Sequence, residues 1–274
     1  MDRKPRSRRL DVAVAEQASI SRERAQALIM AGRVTVDGDV ATKSGAAVPP
    51  GARIDVRDDS RFVSRGGAKL ERALDEFAWT VEGLRCLDVG ASTGGFTDCL
   101  LQRGAASVTA VDVGYGQIAW ALRTDPRVRV VERCNFREVD PASIGAPFEF
   151  ASIDVSFISL AKLAARLRES LRPGARVVAL VKPQFEAGRS AVGRGGVVRD
   201  PATHAAAIDS VGAAFARAGL TPVRLTFSPI VGPAGNIEFL IGAVANGSSE
   251  TTDMPASELD SAGVVAAAHE TLAR

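Results

Sequence analysis

Residues 87–96 read LDVGASTGGF: an apolar run, an acid, then a burst of small residues before a helical pattern. A turn of this kind after a core strand lets backbone approach a ligand closely, and in open α/β sheets ligands sit at that edge. The spacing is not GxGxxG and no GK[ST] follows, so neither a dinucleotide fingerprint nor a phosphate-binding P-loop is present. The next apolar run ends VTAVDV, which sets Asp112 where an acid accepts from a ribose diol, with Val113 beside it. A third run is followed by Cys134 and Asn135, the latter suited to an adenine edge. Adenosine without pyrophosphate points to S-adenosylmethionine. The expected contacts are Asp88, Gly90, Ala91, Ser92, Thr93, Gly94, Gly95, Phe96, Asp112, Val113 and Asn135. The competing account is a loop that merely packs tightly, with Asp112 capping a turn. It explains the glycines but not the ordered succession of strand end, acid, glycine pair and second acid.

Four more polar residues could carry chemistry. SIDVSFISL sets Asp154 at the end of a fourth strand, and ALVKPQFE ends a fifth on Lys182. A lysine ending a core strand is costly to bury unless paired or deprotonated, and Pro183 stops the strand at once. NIEFLIG carries Glu238 into an otherwise apolar run, and Lys69 lies in the helix ahead of the first strand. Singly, Lys69 reads as a surface helix residue, Glu238 as a solvent-facing edge residue, and Asp154 with Lys182 as a structural ion pair. Only Lys182 on its own favours function.

The elements that must position these residues follow from periodicity. From residue 68 onward RCLDV, SVTAVDV, VRVVE, FEFASIDV and RVVALVKP are short apolar runs separated by helical patterns such as FTDCLLQRG, QIAWALR and LAKLAARLRESL. Strands apolar on both faces and alternating with helices form a parallel sheet covered on both sides. A helix near 201–218 and two closing strands, PVRLTFS and NIEFLIGAV, complete a doubly wound, Rossmann-like α/β domain over 68–245. Residues 6–60 form a small α+β unit: a helix SRERAQALIMA capped by Ser21 and stopped by Gly32, a hairpin VTVDGDV, and a strand in PPGARIDV. RDDSRFVSRGG joins the two, with 61–67 read as linker that Phe62 and Val63 can pin down. Residues 246–274 read as a flexible tail with a helix at 257–273.

Composition sets the outer bounds. Of 274 residues, 46% are hydrophobic and 24% charged, and net charge is only +2, so any nucleic-acid surface must come from charge placement. The small unit supplies such placement in Arg6, Arg22, Arg24, Arg33 and Lys43, with Arg65 in the joining segment. A solvated helix face is the plainer account of these charges. Three cysteines, an odd number without CxxC spacing, argue against a disulfide framework and a zinc site and fit a reducing cytoplasm. No metal site is expected. No apolar run reaches the length of a membrane span, so the chain is expected to be soluble and cytoplasmic. There is no GxSxG, and His204 and His269 read as surface or helix residues.

The stretches SRERAQALIMAGRVTVDG, VSRGGAKLERAL, CLDVGASTGGFTDCLL, AVDVGYGQIAWALR, DVSFISL, VKPQFEAG and SPIVGPAGNIEFL together resemble the TlyA (hemolysin A) rRNA methyltransferases, in which an S4 domain precedes an FtsJ-like methyltransferase domain. The resemblance covers the chain to about residue 243. It implies a Lys-Asp-Lys-Glu tetrad at Lys69, Asp154, Lys182 and Glu238, S-adenosylmethionine at Gly90 to Phe96 and Asp112, and a cytidine 2′-hydroxyl of 16S and 23S rRNA as target. On that reading Lys182 is the expected general base, oriented by Asp154, while Lys69 and Glu238 position the ribose. Arg22, Arg24 and Arg33 become expected phosphate contacts to ribosomal RNA or its subunits. Rival expectations are a membrane-active hemolysin, an S4 protein with an inactive methyltransferase domain, and a dinucleotide oxidoreductase.

Overall fold

The computed structural model describes residues 7–18, 20–30, 32–57, 61–188, 191–193, 195–247 and 259–272. The small unit comprises β1 (Arg8–Arg9), α1 (Leu10–Ala18), α2 (Arg22–Met30), β2 (Val34–Val36), β3 (Asp39–Ala41), β4 (Ala47–Val48) and β5 (Ile54–Val56). Asp37 and Gly38 both take positive φ, the backbone a tight hairpin needs, and β2 pairs antiparallel with β3 and β5. Leu10, Val14, Ala25, Ile29 and Val34 are fully buried and close its core.

Helix α3 (Gly66–Glu76) leads into β6 (Arg85–Val89), α4 (Gly95–Gln102), β7 (Ser107–Val111), α5 (Trp120–Arg123), β8 (Val128–Val131), β9 (Phe148–Ile153), α6 (Ala164–Glu169) and β10 (Leu171–Val181). Then come α7 (Pro183–Glu186), α8 (Pro201–Arg217), β11 (Leu220–Phe227), β12 (Phe239–Ala245) and α9 (Ser261–Leu272). The seven strands order as β11-β12-β10-β9-β6-β7-β8, so the doubly wound sheet expected from the alternation is present. β6 to β10 run parallel, whereas β12 runs antiparallel to both β10 and β11. The QIAWALR pattern yields only the four residues of α5. Thr124, Asp125 and Pro126 follow at once, and proline disfavours the helical region in the residue before it.

Two registers place the polar residues. Ile153 pairs with Ala179 in parallel, and Val181 pairs with Phe239 in antiparallel. Asp154, Lys182 and Glu238 therefore emerge together beyond one edge of the sheet. β12 starts three residues later than NIEFLIGAV suggested, at Phe239, leaving Glu238 just outside the ladder with its carbonyl accepting from Ser228 N at 2.8 Å.

The segment 61–65 packs on the larger domain. Phe62 is buried, and its ring lies so close to Gly67 that a Cβ there would stand 2.3 Å from it. Val63 N donates to Asp98 at 2.8 Å, and Gln102 donates to the Arg61 carbonyl at 2.9 Å. The end of the chain also departs from a free tail. α9 buries Val265 and Ala268 against the domain, and Ser261 donates to Asp209 of α8 at 2.5 Å. Residues 248–258, the rest of the expected tail, lie outside the described residues. His204 of α8 is fully buried rather than superficial, within 3.0 Å of His269 on α9 and 3.1 Å of the Val198 carbonyl. Burial lowers its affinity for a proton.

Candidate active site

Two cavities meet at the carboxyl edge of the sheet. The narrower, about 320 Å³, opens between the ends of β6, β7 and β9 and is lined by Gly90, Ser92, Asp112, Val113, Asn135 and Phe136, among others. The wider, about 670 Å³, is lined by Ser64, Arg65, Lys69, Ala91, Thr93, Gly95, Phe96 and Lys182, among others. Gly90, Ser92, Asp154 and Ser156 line both.

The glycine loop answers two needs. Gly90 has φ +83°, and a Cβ there would sit 2.3 Å from the Asp154 carbonyl oxygen. Gly94 takes φ +96° as it caps α4, where a Cβ would strike Leu122, and Gly95 lies against Ser64. Bare backbone is thus demanded by the protein's own close packing, as the competing account held, and that packing is what draws the strand ends together around the narrow cavity.

Asp112 accepts from Ser92 N at 2.8 Å on one oxygen and from Gly114 N at 2.7 Å on the other. An ionised carboxylate accepts about four hydrogen bonds, so capacity for a diol remains. Beside it stand Asn135, whose side-chain oxygen accepts from Arg137 N, and the apolar walls Phe136, Ile158 and Leu163. An acid for a ribose, an amide for a base edge and apolar faces for a ring fit an adenosine moiety. Asp88 does not join them. It is fully buried under the loop, where Thr97 donates to one oxygen at 2.7 Å and Ser152 to the other at 2.9 Å. Burial without a cation pushes its carboxyl up to about 6. Its work is to tie β6, α4 and β9 together.

The four polar residues form two ion pairs on the wider cavity. Lys69 Nζ lies 2.5 Å from Glu238 Oε2, with the two side chains 9% and 1% exposed. Lys69 is not a surface residue, and β12 is not an edge strand. Lys182 Nζ lies 2.5 Å from Asp154 Oδ1, off that oxygen's hydrogen-bonding direction, and donates to Ser156 Oγ at 3.0 Å. Their side chains are 11% and 23% exposed. Ser156 was not anticipated from the sequence, although it lies two residues after Asp154 in SIDVSF. Phe157 follows at φ +66° and is 91% exposed, with its ring 5.1 Å from that of Phe185. Nothing in periodicity marks such a residue.

The expected RNA contacts are scattered. Arg65 lines the wider cavity, while Arg33 and Lys43 are exposed on the small unit. Arg22 donates through Nε to buried Asp11 at 3.0 Å, and Arg9 donates to the same carboxylate through two nitrogens. These arginines hold the Asp11 carboxyl well below the usual carboxylate range. Arg6 and the side chain of Arg24 lie outside the described residues. Among the described residues no group of three or more metal-binding side chains occurs, and no helix is long and apolar enough to cross a membrane.

Comparison with known proteins places this geometry in a family. Residues 62–244 match the FtsJ-like methyltransferase family and residues 8–54 the S4 domain. YqxC of Bacillus subtilis is 48% identical across 96% of this chain and 95% of its own. The 16S/23S rRNA (cytidine-2′-O)-methyltransferase TlyA of Mycobacterium tuberculosis is 48% identical across 81% and 83% respectively. A solved structure from Streptococcus thermophilus that carries a hemolysin name superposes with a TM-score of 0.76, at 42% identity over 97% of both chains. With one buried ion pair and one at the cavity mouth, a glycine loop beside them and an S4 unit ahead, this chain belongs to the FtsJ-like methyltransferases that carry an N-terminal S4 domain.

Proposed function

We propose that the protein transfers the methyl group of S-adenosylmethionine to the 2′-hydroxyl of a cytidine ribose in ribosomal RNA. The observation that carries this reading is the meeting of Lys69, held by Glu238, with Asp154 and Lys182 on one cavity whose wall is shared with the narrower one. The target is taken from the tuberculosis relative, which is named for methylating cytidine in 16S and 23S rRNA. The cysteines are free thiols, which suits action in the cytoplasm.

S-adenosylmethionine supplies an activated methyl group when bound in the narrow cavity. Asp112 would hold its ribose and Asn135 its base edge, each from a loop at a strand end. Ser92 and Gly90, common to both cavities, would border the point where methyl and acceptor meet. A ribose hydroxyl is a weak nucleophile, so the protein's part is alignment and removal of one proton, and alignment alone is worth several kcal/mol. Lys182, held beside Asp154 and Ser156, would be the group that takes that proton. Lys69 is locked by Glu238 and positions the acceptor ribose. The S4 unit brings RNA phosphates alongside, raising the local concentration of substrate.

The test uses tritiated S-adenosylmethionine with purified 30S and 50S subunits, for the wild-type protein and Lys182→Ala. Label appears as 2′-O-methylcytidine and is lost in the variant. Label on a base, or none on either subunit while the cofactor binds, overturns the proposed target. A hemolysin reading would instead require dye release from liposomes, which we expect to be absent.

A further inference from the structure

Among the described residues six large apolar side chains are exposed, and four of them lie at the carboxyl edge of the sheet: Val113, Tyr115 and Phe157 on loops and Trp120 at the start of α5. Trp120 has a setting of its own. A third cavity of about 700 Å³ runs between the two domains, with Ile20, Ser21 and Arg22 of the S4 unit on one wall and Thr93, Gln117 and Trp120 of the catalytic domain on the other. It shares Ser21, Ser92 and Thr93 with the catalytic cavity, so a chain molecule leaving the reacting centre passes directly into it.

Both walls are fixed. Ala119 N donates to the Thr93 carbonyl at 3.1 Å, and Ile118 and Leu122 are buried against Gly94, which leaves Trp120 outward at 64% exposure. Arg22 is held through Nε by buried Asp11, its side chain 51% exposed. The one acid on the walls, Glu16, is paired with Arg8. An exposed indole and an anchored guanidinium lining one cleft are the combination that takes a base on the ring face and a phosphate at the charge.

We infer that this interdomain cleft is a subsite for an unpaired nucleotide flanking the methylated one, stacked on Trp120 with its phosphate toward Arg22. The inference rests on the proposed reading that the substrate is RNA, and it gives the domain junction a task in selecting that RNA. Sequence-specific recognition of RNA commonly takes unpaired nucleotides whose bases are splayed out, and an aromatic platform stabilises the splayed form whatever its sequence.

Trp120→Ala, Trp120→Phe and Arg22→Gln are compared with wild type in methylation of purified subunits, with cofactor affinity measured by equilibrium dialysis. Trp120→Ala is expected to raise KM for the subunit by about 5-fold to 100-fold with cofactor affinity unchanged, and Trp120→Phe to recover most of it. Arg22→Gln is expected to lower the salt dependence of subunit binding by about one unit of slope. Wild-type kinetics in Trp120→Ala overturn the subsite, and so does equal loss of cofactor affinity, which would make Trp120 a wall of the cofactor site. If the wild-type protein methylates neither subunit, the proposed reaction fails instead, and filter binding of the same variants to the subunits still decides the cleft.

Discussion

The two lysine–carboxylate pairs share charge type and a 2.5 Å separation, yet they differ in almost everything else. Lys69–Glu238 joins residues 169 apart and is sealed, so each charge depends wholly on its partner. Lys182–Asp154 lies at the mouth, where Ser156 shares the lysine and solvent reaches the carboxylate. Sealed charge serves geometry, because losing either half strands the other in a dry site. On the proposed mechanism the open pair serves chemistry, because a proton must arrive and leave. The pairs therefore predict opposite balances between stability and activity.

Lys182→Ala should give the largest change in rate, a fall of about 10²-fold to 10⁴-fold in kcat, with thermal unfolding close to wild type. Equal losses of rate and stability would erase the distinction. Lys69→Met should act in the reverse proportion, costing about 3–5 kcal/mol in denaturant unfolding because Glu238 is left charged and unpaired. The double variant Lys69→Met/Glu238→Leu should regain much of that stability while remaining inactive. Asp154→Asn should cost under about 1 kcal/mol in stability, the smallest effect, and still impair turnover through misplacement of Lys182.

Asp88 offers a third case, a buried acid without a cation. Its folded-state pKa of about 6 lies above the ordinary 3.8, so the folded protein holds this proton more tightly than the unfolded chain. Its contribution is present below about pH 4 and is lost as pH rises through 6, an effect of about 3 kcal/mol. Denaturant titrations of wild type and Asp88→Asn should diverge over that window, and parallel curves would mean that Asp88 is already ionised. Asp11, equally inaccessible but gripped by Arg9 and Arg22, is shifted the opposite way. Burial raises a carboxyl; the partner decides whether it stays raised.

What the sequence determined by itself was local. Apolar runs alternating with helical patterns specified a covered parallel sheet, a glycine-rich turn after the first strand marked the ligand edge, and Lys182 before a proline announced a costly charge. The order of motifs was enough to identify the family. Tertiary structure decided what depends on which elements become neighbours. β12 entered antiparallel between β10 and β11, which carried Glu238 to Lys69 and made both interior. Asp88, adjacent to the glycine loop in sequence, turned beneath it to hydroxyls on α4 and β9. α9 docked over α8 and buried His204, and the S4 unit came to line one cleft with Trp120. Periodicity reports which face of an element is dry. Which charge meets which is set by strand order and by close approach across more than a hundred residues, and nothing in a local pattern encodes that distance.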